Sequence, residues 1–215
     1  AALALFAVPL LASFIAVQVK PELIHTLMNT QQVAELEAMY DTASSKLGRD
    51  AESDLMMFGF YIFNNIGIGL RTFASGLLAG LGPALALAFN GFMIGGVAGH
   101  LQASGHGDPF WRFVAGHSAF ELSAIVIAGG AGLRLGLDFI APGRRRRVDA
   151  LVEGGRRGAW LCLGVFAMLL AAAFIEAFWS SIGWIPALVK YSVGGALWAL
   201  VLGWLWFGGR DRHAP

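Results

Sequence analysis

One cysteine, Cys162, is all the chain has among its 215 residues. No disulfide can form within it, and the apolar run around that thiol argues against a soft-ligand metal site. Charge is scarce as well. Asp, Glu, Lys and Arg make up 13% of the chain, against about 25% in a soluble domain, while 57% is hydrophobic. Such a composition excludes an ordinary water-soluble fold and makes the bilayer the solvent. Neither sign of charge dominates, since the net charge is +1. The basic residues form one cluster, not a stripe interleaved with aromatics, which excludes a nucleic-acid partner. The zinc-protease motif HExxH is missing. Ser118 beside His117 cannot act as a nucleophile and base pair, because sequence neighbours on a helix diverge. No catalytic constellation remains, no cofactor is implied, and an enzyme is the least supported class. The chain also lacks an initiator methionine and a basic region ahead of its first apolar run, and 3–19 shows no small-residue cleavage pattern. A cleaved signal peptide is therefore disfavoured, and a cytoplasmic segment is expected ahead of Ala1.

What is present is a series of apolar runs near 20 residues long. Six spans are expected, over 2–19, 56–78, 83–101, 110–137, 159–178 and 187–207, in an all-α polytopic bundle forming a single membrane domain. Polar residues and glycines interrupt the second and fourth, which are expected to be tilted, kinked or broken. Arg144 to Arg147, Arg156, Arg157, Arg210 and Arg212 gather on one side, which the positive-inside rule makes cytoplasmic, with both termini. The segment 20–54 between spans one and two is acidic and falls outside. Within it the spacing of Val33, Leu36 and Tyr40 predicts an amphipathic helix over 30–46. That helix could lie on the membrane, meet a partner or pack on its own bundle. A tight hairpin is expected at 81–83. Trp179 and Trp184 suit an outer interfacial belt, and Trp204 and Trp206 an inner one.

Against this background, polar groups at membrane depth are the informative residues. At about 1.5 Å per residue, Asn64 and Asn65 lie about 15 Å below the outer edge, Arg71 about 24 Å, His117 about 12 Å, Glu121 about 18 Å and Asn90 about 20 Å. Amide, imidazole, carboxylate and guanidinium thus share one layer and are expected to cluster, with Arg71 pairing with Glu121. The cluster is either a buried clasp between helices or a proton relay, ion site or gated cavity. No metal is assigned. A metal site would be built from His117 and Glu121, one turn apart, with Asn90 or His100 as a third ligand. Glu176 and Lys190 flank a short outer turn and are expected to pair near the surface. Small residues at four-residue spacing, Gly76 and Gly80, Gly91, Gly95 and Gly99, and Gly132 and Gly136, predict close helix packing within the chain or across a homodimer face. The arginine cluster is read as a topology determinant, with anionic lipid as a secondary partner.

Phe63-Asn64-Asn65 with 73–80, then Asn90-Gly91, then Gly116-His117-Ser118-Ala119-Phe120-Glu121 running into the glycine-rich stretch 129–136, resembles the stage II sporulation protein M family of bacterial and archaeal membrane proteins. The likeness is close over about 54–136. The family's frequent Pro-His-Gly is altered here to Gly116-His117-Ser118, which keeps the two ionisable groups. The resemblance implies a prokaryotic inner-membrane protein. The family's namesake helps assemble and position cell-wall hydrolases during engulfment, and many relatives belong to organisms that do not form spores. The sequence therefore favours a non-enzymatic envelope scaffold, homodimeric, meeting cell-wall enzyme partners through 20–54. Its rival is a permease that uses the buried polar cluster for translocation or proton coupling.

Overall fold

The computed structural model describes residues 1–41 and 51–208. Its elements are α1 (Ala2–Val19), α2 (Thr30–Met39), α3 (Ala51–Tyr61), α4 (Gly67–Ala74), α5 (Leu81–Ala103), α6 (Gly107–Val114), α7 (Ser118–Ile140), α8 (Arg147–Ile175) and α9 (Ala187–Phe207). Among the described residues there is no strand, and five helices are long and apolar enough to cross a membrane: α1, α5, α7, α8 with its continuation to Ser180, and α9. Large apolar side chains such as Leu3, Phe63, Leu85, Trp160 and Leu188 are exposed around the bundle, as lipid-facing surfaces require.

The second expected span is a helical run in pieces. A π-helical turn, Ile62–Ile66, separates α3 from α4, and a 3-10 turn, Ser75–Leu77, ends the run. The chain then reverses through Ala79 and Gly80, both at positive φ (55° and 83°), so the hairpin lies ahead of 81–83 and Pro83 sits in the first turn of α5, where its missing N–H costs nothing. The fourth expected span, 110–137, is not one helix. α6 keeps Phe110 inward and an exposed Arg112–Asp108 pair outward, and the chain turns at 115–117 before α7 begins. Apolar content continues across that corner, so hydropathy alone does not see it. α8 begins well before 159, which places Arg156 and Arg157 on a helix and not in a connection. Arg210 and Arg212 lie outside the described residues.

The helix expected over 30–46 is realised over Thr30–Met39 and ends there, with Tyr40 at its C-cap and Asp41 non-helical, while 42–46 lie outside the described residues. A reciprocal cap starts it. The Asn29 side chain accepts from the Gln32 amide at 2.9 Å, and the Gln32 side chain accepts from the Asn29 amide at 2.9 Å. Val33 and Leu36 are buried against the bundle, and Glu37 reaches His100 Nε2 on α5 at 2.8 Å. The apolar stripe of α2 is therefore spent inside the chain. Asn29→Ala is expected to cost about 1 kcal/mol and to loosen α2, read as a lower thermal midpoint and faster proteolysis in 20–41. An unchanged midpoint and cleavage pattern would remove the cap from this role.

Glycines decide how close the spans come. A Cβ on Gly91, Gly95 or Gly99 would run into the carbonyl oxygens of Phe6, Leu10 and Phe14 in turn, three successive turns of α1. The matched order means α1 and α5 run parallel, and their association rests on backbone approach, since lipid offers apolar side chains no less than a neighbouring helix does. Gly76 meets Gly132, and Gly136 meets Gly80, on the α4–α7 side. All seven glycines named from the sequence thus face neighbours in their own chain.

Candidate functional site

Two π-helical turns face each other at the end of the bundle that carries α2 and α6. The first, Ile62–Ile66, holds Asn64 and Asn65; the second, Glu176–Ser180, continues α8. Such turns insert an extra residue into a helix and re-aim the side chains around it. Asn64 Nδ2 donates to Asn65 Oδ1 at 3.1 Å, and Asn65 Nδ2 donates to Glu176 Oε2 at 3.4 Å. His117, 3% exposed, caps α7 with its ring between Ser180 Oγ (3.1 Å from Nδ1) and Glu121 Oε2 (3.7 Å from Nε2). Potential ligand atoms of His117, Glu121 and Glu176 all lie within 4.8 Å of one another. Lys190 Nζ donates to the Ser180 carbonyl at 2.8 Å and lies 5.9 Å from the centre of the Trp179 ring. The lysine therefore fixes the turn that supports the imidazole.

Tyr40, at the end of α2, closes the site from outside the spans. Burial, reinforced by Tyr61, Glu176 and Glu121, pushes its phenol pKa above the ordinary range, so it stays a neutral donor beside the carboxylates. A cavity of about 900 Å³ opens from this polar end. α1 and α9 flank it without forming a packed pair, α6 covers it, and α5 and α7 form its back. Phe14, Val97, Val114 and Trp198 supply apolar wall, while His117, Glu121 and Glu176 supply the polar end. Trp198 Nε1 donates to Ser118 Oγ at 3.2 Å, which ties α9 to the start of α7. A half-open apolar cavity of this size with a few convergent polar groups has the make-up of a small-molecule site.

The expected cluster is thus brought together in part. Asn64, Asn65, His117 and Glu121 share the layer. Arg71 does not join it: its Nε donates back to the Gly67 carbonyl at 2.9 Å, on an exposed face, so the expected Arg71–Glu121 pair is absent. Asn90 Nδ2 bonds its own helix at Ala86 O, 2.8 Å away, and His100 is engaged by Glu37. Neither is the third partner of His117 and Glu121; that place goes to Glu176. Glu176 and Lys190 are buried, 9% and 4% exposed, and belong to the layer instead of a surface pair. An acid within the apolar run 159–178 was the signal for Glu176. Its place beside the short outer turn is what reads as a surface position.

Fold and site together define a polytopic α-helical membrane protein with an ionisable cluster at the end of an apolar chamber. The family model for stage II sporulation protein M matches residues 2–181, and the chain belongs to that family. The match reaches from α1 through the second π turn and so takes in every member of the cluster except Lys190. No curated protein and no solved structure matches the chain significantly.

Proposed function

We propose that this protein handles a small solute in the membrane as a permease-like bundle, with Asn65, His117, Glu121 and Glu176 as the ionisable end of its chamber. The observation that carries this reading is the cavity of about 900 Å³ that reaches His117, Glu121 and Glu176. A clasp that only joined helices would be filled by its own partners. A solute with an apolar body and a cationic or proton-donating head matches the aromatic and aliphatic wall and the carboxylates. The protein resides in the cytoplasmic membrane, with the arginine-rich end and both termini inside. Family membership favours a second reading, an envelope scaffold that assembles with cell-wall enzymes or with a second copy of itself. The spending of α2's apolar stripe inside the chain removes one docking surface from that reading.

Because Cys162 is the only thiol, accessibility separates the two. In a Cys162→Ala background reconstituted in liposomes, Ser118→Cys on the chamber wall is expected to react with a water-soluble, membrane-impermeant thiosulfonate. Leu163→Cys on the lipid-facing side of α8 should stay unmodified. A Ser118→Cys as inert as Leu163→Cys would mean a dry layer, and the scaffold reading would then take first place.

A further inference from the structure

We propose that His117, Glu121 and Glu176 bind one divalent transition-metal cation of the zinc, cobalt or manganese class at the polar end of the chamber. The inference rests on the permease-like reading only for the cavity, which supplies the ion's access path and its water ligands.

Three observations carry it. First, the donor set is right for such an ion. An imidazole and two carboxylates select transition cations over calcium or magnesium, which take oxygen alone. Second, the separation is within reach. Ligand atoms around a tetrahedral ion bound at about 2.0–2.2 Å stand roughly 3.3–3.6 Å apart. Here His117 Nε2 and Glu121 Oε2 are 3.7 Å apart, and all three groups fall within 4.8 Å. An ion would draw the glutamate oxygens inward from these separations. Three protein ligands facing a cavity leave a fourth position for water, the arrangement of an open site and not of a sealed structural one.

Third, the surroundings of the ligands are those a metal site requires. A ligating histidine offers one nitrogen to the ion and donates the other N–H to a fixed acceptor. Ser180 Oγ stands 3.1 Å from Nδ1 and can accept the Nδ1 proton, the tautomer that leaves the Nε2 lone pair for the ion. Lys190 holds the backbone of Ser180. Asn65 donates to Glu176 Oε2, and Asn64 in turn donates to Asn65, so one carboxylate is oriented by a two-residue relay from the opposite π turn. Two carboxylates and an imidazole lone pair are all acceptors. Brought together at membrane depth, they form a site where a cation between them would offset their charge.

The test uses the full chain in detergent, affinity tag removed, stripped with a chelator and dialysed against Co²⁺ or Zn²⁺ separately. Elemental analysis is expected to give one metal per chain, and Co²⁺ to produce the visible d–d absorption of a low-coordinate site. His117→Gln and Glu176→Gln should abolish both signals. Asn65→Ala, which removes a donor to Glu176 but not a ligand of the ion, should weaken binding by roughly 10–100-fold. Glu37→Gln, at the other histidine–carboxylate pair of the bundle, should leave binding unchanged. If the ligand variants do not fold, the wild-type chain still decides, because Zn²⁺ must then raise its thermal midpoint in a concentration-dependent way. No stoichiometric uptake, or uptake indifferent to His117→Gln and Glu176→Gln, overturns the proposal. Absence of metal with a reactive Ser118→Cys removes the ion and leaves the chamber. Metal binding with an inert Ser118→Cys removes the chamber and leaves the ion.

Discussion

Gly95→Val is expected to detach α1 from α5 and to lower the thermal unfolding temperature sharply. The reason is what stands opposite. A Cβ at this position would collide with the Leu10 carbonyl and with Ser13 Oγ, and Ser13 is itself hydrogen-bonded to that carbonyl at 3.2 Å. The obstacle is therefore helix backbone, which cannot turn aside as the end of a side chain can. Ordinary overpacking costs about 1–3 kcal/mol, and a clash against backbone belongs at or above the top of that range. The whole seam suffers, because Gly91 and Gly99 can follow only if α1 stays parallel and close. Gly155→Val is the control: a Cβ there meets nothing within 4 Å, so the same substitution on α8 should be nearly neutral. Tryptophan fluorescence during heating, with size exclusion of the heated sample, would follow both. Equal midpoints for the two variants would remove the glycine seam from its role in holding α1.

That seam was legible in the sequence as a spacing, and the spacing had two readings. Gly91, Gly95 and Gly99 at intervals of four predict close approach, but only coordinates say that the approaching helix is α1. The ends of α1 and α9 could be read from hydropathy because nothing interrupts those runs. The fourth span failed as a single helix for a local reason. α6 is amphipathic, yet the apolar residues of its inner face merge with those of α7 when only content is averaged. The layer at His117 could be seen because ionisable groups in apolar runs are rare, and the same rule applied to 159–178 would have added Glu176. Depth was the weak step. A rise of 1.5 Å per residue assumes a straight helix, and two π turns and a corner at 115–117 break that assumption. Hence depth puts Arg71 beside Glu121 when it lies on an exposed face, while the short outer turn next to Glu176 suggests a surface position for a residue that belongs beside His117. π turns are set by what packs across them, here Asn65 on Glu176, so no local pattern announces them.

The second large effect concerns Asp138, to which sequence reading gave no role. It lies in the last turn of α7, 3% exposed, where the helix dipole opposes an anion. It survives there because arginines surround it. Arg145 Nη2 is 3.4 Å from Oδ1, Arg157 Nη2 is 3.3 Å from Oδ2, and Arg134 Nε is 3.6 Å from Oδ1. Glu153 links Arg145 and Arg157 from α8 at 2.5 and 3.4 Å. Gly154 makes room, since a Cβ there would press on Asp138 Oδ2. The burial is one-sided: the acid is enclosed and the guanidinium groups reach water. Asp138→Asn should therefore be mild, about 1–2 kcal/mol, because the released arginines are solvated. Removing the arginines is the reverse case. Arg145→Gln with Arg157→Gln leaves an enclosed carboxylate with Arg134 as its remaining close guanidinium, and a drop in thermal midpoint larger than that of Asp138→Asn is expected, because a buried charge is left with one partner. The decisive variant combines all three changes. If the enclosed charge is the cause, adding Asp138→Asn to the arginine double variant should restore stability, although it removes yet another native contact. A triple variant less stable than the double would show that the arginines hold the α7–α8 corner through packing or lipid contact instead of through Asp138. Thermal midpoints of the four proteins in one detergent give the answer.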